Sequence, residues 1–140
     1  MIILGVDLGK ARTGVAVCDK SEMLASPVEV VYEHNRTRLL ERVAAIAKAR
    51  GAEQIVVGLP RNMDGSEGGS AQDARAFGAE LHALCGLPVD FSDERGTTVT
   101  AHNFLNETNT RGKRRKAAVD AVAATIILQD YLDFRRNRNR

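Results

Sequence analysis

Apolar and polar positions alternate between two periods along this chain, and the changes of period mark its elements. Ile2–Val6 and Val15–Cys18 are short apolar runs separated by Asp7-Leu-Gly-Lys-Ala-Arg-Thr-Gly. Runs apolar on both faces predict central strands, here joined as a β-hairpin. Val28 to Tyr32 is β-branched and predicts a third strand, with Pro27 marking an edge position or a strand start. Leu39, Leu40, Val43, Ile46 and Ala47 then fall at helical spacing, so Thr37 to about Arg50 reads as an amphipathic helix stopped by Gly51. Gln54–Gly58 predicts a fourth strand, parallel to the first after a helical crossover.

A Gly-rich polar loop, residues 59–70, follows that strand at the end where ligands bind in α/β sheets. It lacks the Gly-Lys-Ser/Thr ending of a Walker A loop. Ala71, Ala74, Phe77, Gly78, Leu81 and Leu84 mark a second helix, with Ser70 as its expected cap and His82 beside the stripe as a surface residue. Val89-Asp-Phe is a fifth short strand. A short helix is expected from Thr97 or Thr98 through Ala101, Phe104 and Leu105, then a flexible basic loop over 106–116 and a last helix from about Ala117 to Phe134. The order predicts one α/β domain over residues 1–134. Its five-stranded mixed sheet combines a three-strand antiparallel meander with two parallel strands, the first strand is central, and helices cover both faces. Residues 135–140 are expected to be a disordered basic tail.

Composition changes this picture little: 44% apolar and 27% charged residues among 140 fit a soluble globular domain. No run is long enough for a membrane span, and no basic region precedes the first strand as in a signal peptide. Cys18 and Cys85 lack metal-ligand spacing, so two buried thiols in a cytoplasmic protein are expected. Charge adds more. Residues 111–140 carry nine Lys/Arg against three Asp, a net of +6, whereas residues 1–110 carry eleven Lys/Arg against fifteen Asp/Glu, a net of −4. A basic end on a near-neutral body suits a polyanionic partner such as nucleic acid.

Three acids stand out by position. Asp7 shares one strand face with Ile3 and Gly5; Glu94 follows the last strand; Asp120 has Ala123, Ala124, Ile127 and Tyr131 at helical spacing and so is placed on the inward stripe. Asp130 and Asp133 fall off that stripe and are expected in solvent. Carboxylates converging at one sheet edge repel unless cations neutralise them, and hard oxygen donors suit Mg²⁺ or Mn²⁺. Two such ions clamp a phosphodiester and activate a water for in-line attack, with Asp7 the natural bridging ligand. Structural ion pairs are the competing reading: Arg12 with Asp7, and Arg95 with Asp93 or Glu94. Arg12, Arg95, Arg111, Lys113, Arg114, Arg115 and Lys116 are the candidate phosphate contacts.

Gly5-x-Asp7-x-Gly9-x-x-Arg12-x-Gly14-x-Ala16, Val57-Gly-Leu-Pro60 with Asp64-Gly-Ser-Glu-Gly68, Asp93-Glu-Arg-x-Thr-Thr98 and the basic run before Asp120 together resemble the YqgF (RuvX) family. That family is similar to the Holliday junction resolvases of the RuvC type and has an RNase H-like fold. The resemblance spans nearly the whole chain and departs at Gly96, where the family usually has Leu. It implies a bacterial cytoplasmic nuclease maturing the 5′ end of precursor 16S ribosomal RNA. Ribosomal particles are a further expected partner, and a monomer or weak homodimer is the expected state. Its acids carry over to Asp7, Glu94 and Asp120. Junction resolution in DNA is the alternative, and a non-catalytic nucleic-acid-binding factor is a second class. Asp7-x-Gly9 with Thr13-Gly14 also resembles the phosphate hairpin of the actin and sugar-kinase superfamily. Those proteins need two lobes, and this chain has room for one.

Overall fold

A computed structural model describes residues 1–62, 64–93 and 112–138, the side chains of 112–121 and 138 excepted. Its elements are β1 (Ile3–Asp7), β2 (Arg12–Cys18), β3 (Ala25–Tyr32), α1 (Arg36–Ala49), β4 (Gln54–Leu59), α2 (Gly69–Cys85), β5 (Val89–Asp93) and a long last helix, α3 (Gly112–Arg138). The sheet order is β3-β2-β1-β4-β5. The β1–β2 and β2–β3 pairs are antiparallel, and β1–β4 and β4–β5 are parallel. The expected meander, parallel pair and central first strand are all present.

Strand alternation divides the core into two layers. Leu4, Val6, Ile55 and Val57 pack with Leu39, Val43 and Ile46 of α1 and with Phe77 and Leu81 of α2. Ile3, Ala16 and Val56 face the other way, against Ala124, Ile127, Leu128, Tyr131 and Leu132 of α3. Helix α1 starts where Asn35 Oδ1 accepts from the Arg38 N–H at 3.0 Å.

Four expectations are corrected. The third strand begins at Ala25, three residues early, because a register shift at Val15/Ala16 accommodates Pro27 on the edge strand. Ser70 does not cap α2: the helix starts at Gly69 with Gly68 as its N-cap, so Ser70 lies inside the first turn. Positions 112–116, expected in a loop, are already helical. The tail from residue 135 is not disordered through Arg138 but continues α3. Arg135 Nε lies 3.1 Å from Glu22 Oε1 and its guanidinium lies over the Tyr131 ring, while Arg136 pairs with Asp133 and donates to the Met23 carbonyl. These contacts hold the end of the helix to the β2–β3 turn. The expected helix at 97–105 and the loop over 106–111 lie outside the described residues.

A polar relay, buried at Gln54 and Tyr131 and exposed at Asp90, locks the C-terminal half of α3 over the sheet. Gln54 Nε2 donates to Tyr131 Oη at 2.7 Å, and Tyr131 donates to Asp90 Oδ2 at 2.8 Å. Burial, then the bond to Asp90, holds the Tyr131 phenol above its ordinary pKa. Tyr131→Phe leaves the buried Gln54 amide without its acceptor and is expected to cost about 1–3 kcal/mol. Urea unfolding checks this; an unchanged midpoint would show that the relay contributes nothing.

Candidate active site

The site is built at the C-terminal edge of the three parallel strands. Val6 pairs with Val57, and Leu59 with Asp93, so the ends of β1, β4 and β5 reach the same edge of the sheet. Asp7 is the last residue of β1, half-buried, opposite Gly14 of β2. The turn after it is tight. The Gly9 N–H reaches the buried Thr13 Oγ1 at 3.4 Å, and a Cβ on Gly9 would lie 2.0 Å from the Arg12 carbonyl oxygen. Only glycine fits there, which is the physical content of the Asp7-x-Gly9 spacing.

The face of Asp7 follows from Gly5. A Cβ at Gly5 would lie 2.8 Å from Leu128 Cβ and 3.3 Å from the Ala124 carbonyl oxygen, so this face of β1 lies directly against α3. Asp7, two residues on, shares that face. Helix α3 runs against the direction of β1, because Tyr131 sits over Gln54 at the start of β4 while Ala124 sits at Gly5. Two strand residues advance about 6.6 Å and four helical residues about 6 Å. The backbone of position 120, one turn before Ala124, is therefore in step with Asp7 along the sheet.

Of the other sequence candidates, Arg12 opens β2 beside the same turn, opposite Tyr32. Lys113, Arg114, Arg115 and Lys116 lie in the first turns of α3, on the run leading to position 120. Glu94, Arg95 and Arg111 lie outside the described residues, as does the Gly96 departure. Among the described residues no group of three His, Cys, Asp or Glu converges as a metal cage. Asp130 is exposed, as expected, with partial burial and then the charge of neighbouring Asp133 raising its carboxyl pKa. His82 is a surface residue as expected, its Nδ1 2.7 Å from the Leu87 carbonyl oxygen.

Sequence reasoning missed Arg61. Its guanidinium lies 3.4 Å from Glu67 and 3.8 Å from Asp93, so Asp93 is paired by the β4–α2 loop. The hydrogen bond from Arg75 lowers the Glu67 pKa; burial opposes it, and the charges of Arg75 and Arg61 add to the lowering. The available signal was a basic residue two positions after a strand end, six residues before an acid in a Gly-rich loop. That loop is braced rather than open: Asn62 N–H donates to the Ser66 carbonyl and Ser66 N–H to Asp64 Oδ1, each at 2.9 Å.

Residues 1–134 match the family model described as "RuvX: Holliday junction resolvase". The chain belongs to the RuvX family. Relatives of this RuvX chain carry the name "Putative pre-16S rRNA nuclease". The protein from Moorella thermoacetica is 44% identical over 133 residues, covering 95% of each chain. That from Chloroflexus aurantiacus is 39% identical over 140 residues, covering 99% of this chain and 92% of the relative. As a RuvX member the chain is a nuclease, and so a hydrolase. Solved structures agree on the fold. Thermus thermophilus RuvC in complex with a Holliday junction substrate superposes with a TM-score of 0.59 at 17% identity, over 98% of this chain and 96% of that one. The fowlpox virus resolvase with its junction DNA gives 0.58 at 10% identity, over 96% and 98%. The architecture is thus the RuvC-like, RNase H-like sheet.

Proposed function

We propose that this RuvX-family chain is a metal-dependent endonuclease that trims the 5′ end of precursor 16S ribosomal RNA, with Asp7, Glu94 and Asp120 as its metal ligands. The observation that carries the reading is the place of Asp7: a half-buried carboxylate ends the central strand on the face packed by α3. An all-oxygen donor set at that strand end suits Mg²⁺ or Mn²⁺. Position 120 is in step with Asp7 on α3.

Bound divalent ions supply charge stabilisation at the phosphoryl group and lower the pKa of an attacking water. The residues of the chain divide the remaining work. Asp7 anchors the centre of the site on the central strand, and α3 carries its facing wall. Arg12 at the mouth of the hairpin, Arg95, Arg111 and the basic run Lys113–Lys116 hold the phosphate backbone. The relatives' name supports precursor ribosomal RNA as the substrate, and this reading carries with it work in the bacterial cytoplasm on ribosomal particles. No described helix is long and apolar enough to cross a membrane.

The test uses end-labelled precursor rRNA leader and a four-way DNA junction, each with Mg²⁺, Mn²⁺ or EDTA. Metal-dependent cutting of the leader at one 5′ position is the expected result. Cutting of the junction alone would replace this substrate with branched DNA. Binding with no cleavage in any metal would leave a binding factor in place of an enzyme.

A further inference from the structure

We propose that Tyr32 is a substrate-binding residue: its exposed ring stacks a base of the RNA strand, beside the nucleotide whose phosphate meets Asp7. The proposal deepens the reading of the Asp7 edge as the nuclease site and rests on it.

Strand pairing puts Tyr32 near Asp7. Asp7 lies opposite Gly14 of β2, and Arg12, two residues before Gly14, lies opposite Tyr32 of β3. Directly opposed residues share a face of the sheet, and so do residues two apart on one strand. Asp7, Gly14, Arg12 and Tyr32 therefore all belong to the α3 face. Val31, the neighbour of Tyr32, accordingly packs in the core on the other side. Adjacent strands lie about 4.8 Å apart, so β3 runs about 10 Å from β1. Two residues of strand carry Arg12 and Tyr32 about 6.6 Å beyond Asp7 along the sheet.

Tyr32 stands apart from the other exposed side chains of its kind. Among the described residues the large apolar and aromatic side chains in solvent are Met23, Leu24, Tyr32, Leu84 and Phe134. Met23 and Leu24 lie in the β2–β3 turn, Leu84 at the end of α2, and Phe134 one turn past Tyr131 on α3. These four are at the opposite edge of the sheet, where β1, β4 and β5 begin. Tyr32, 64% exposed, is at the edge of Asp7. Its backbone is fixed on the far side as well. The Glu33 N–H donates to the Ala11 carbonyl at 3.1 Å, and Asn35 caps α1.

A rigid exposed ring beside a cation has the form of a stacking platform for single strands: every base offers a π-face, and charge tracks the backbone. Strand preference alone explains the ring less well, because Val serves an edge strand equally and exposes less apolar surface. A lone exposed aromatic is ordinary on a protein surface. One across from Arg12, on the face and at the edge of Asp7, is placed to meet the substrate.

The experiment compares the full chain with Tyr32→Val, Tyr32→Phe and Tyr32→Trp. Val keeps the strand preference and removes the ring, and thermal melting checks the fold. In Mg²⁺, Tyr32→Val should raise KM for the precursor leader about tenfold, the usual loss when a ring that stacks a base is removed. The loss should fall on KM rather than on kcat, and Tyr32→Phe should restore most of it. Leaders carrying one abasic nucleotide at successive positions around the cut locate the stacked base. At one position the difference between wild type and Tyr32→Val should vanish. The chain has no Trp, so Tyr32→Trp supplies a single fluorophore. A single-stranded oligoribonucleotide should quench it in EDTA, where nothing is cut. Equal KM in wild type and Tyr32→Val, or a difference that persists at every abasic position, would overturn the proposal. If the wild-type chain cuts no leader, the substrate reading fails and binding in EDTA decides alone. Quenching of Tyr32→Trp with weaker oligonucleotide binding by Tyr32→Val then supports stacking, and no quenching removes it.

Discussion

Asp7→Asn should abolish cleavage while leaving the fold intact. The substitution keeps the size and shape of the side chain and removes its charge. Asp7 ends the central strand, is half-buried, and faces the α3 layer, so it has little room to be replaced by a neighbour. A metal ligand contributes several kcal/mol of transition-state charge stabilisation, and each 1.36 kcal/mol is tenfold in rate, so a fall of about a thousandfold or more is expected. Asp120→Asn should act in the same direction. The measurement is single-turnover cleavage of the precursor leader in Mg²⁺, beside thermal melting of each variant. Stability should hold or rise slightly, because a carboxylate at an electronegative site is itself unfavourable when no cation is bound. A variant that cuts at the wild-type rate would remove Asp7 from the chemistry. A variant that fails to fold would make its carboxylate structural, as in the alternative pairing with Arg12.

The fold was legible because the strands and helices of this chain differ in period. Gly5, Val6 and Asp7 read as a central strand from their apolar neighbours alone, and β1 is central. Leu39, Val43, Ile46 and Ala47 read as one helical face, and all four are buried. What was missed depended on partners far along the chain. Arg135 and Arg136 look like the start of a charged tail in sequence. Glu22, Tyr131 and the Met23 carbonyl keep them on a helix, and two of those lie over a hundred residues away. Pro27 correctly marked an edge, but the strand runs past it because β2 absorbs the irregularity. At the site, the face and strand end of Asp7 followed from a period of two. The ion pairs of Arg61 did not, because they depend on the loop folding back so that Glu67 meets Arg61 while β5 ends at Asp93. Periodicity carries no information about such a return.

Gly5→Val should destabilise the protein more than any surface change and should damage the site as well. Gly5 lies midway along β1, fully buried between the strand and α3. A single added Cβ would come within 2.8 Å of Leu128 Cβ and 3.3 Å of the Ala124 carbonyl oxygen. Neither atom is the loose end of a side chain; both are fixed to the helix backbone. The helix itself must therefore move away from the sheet. Overpacking of this kind costs about 1–3 kcal/mol, and the branched Val side chain belongs at or beyond the upper end. For a domain of this size that corresponds to a fall in Tm on the order of 10 °C. Gly5→Ala should show a smaller loss, and Gly69→Ala almost none, since a Cβ at Gly69 meets nothing within 4 Å. The consequence for function follows from the register: the same shift that relieves Ala124 carries position 120, one turn away, off its alignment with Asp7. Cleavage measured well below the melting temperature should then fall in Gly5→Ala beyond what its folded fraction explains. Melting of Gly5→Ala at the wild-type temperature would mean that α3 does not rest on β1, and the facing wall of the site would have to be sought on another element.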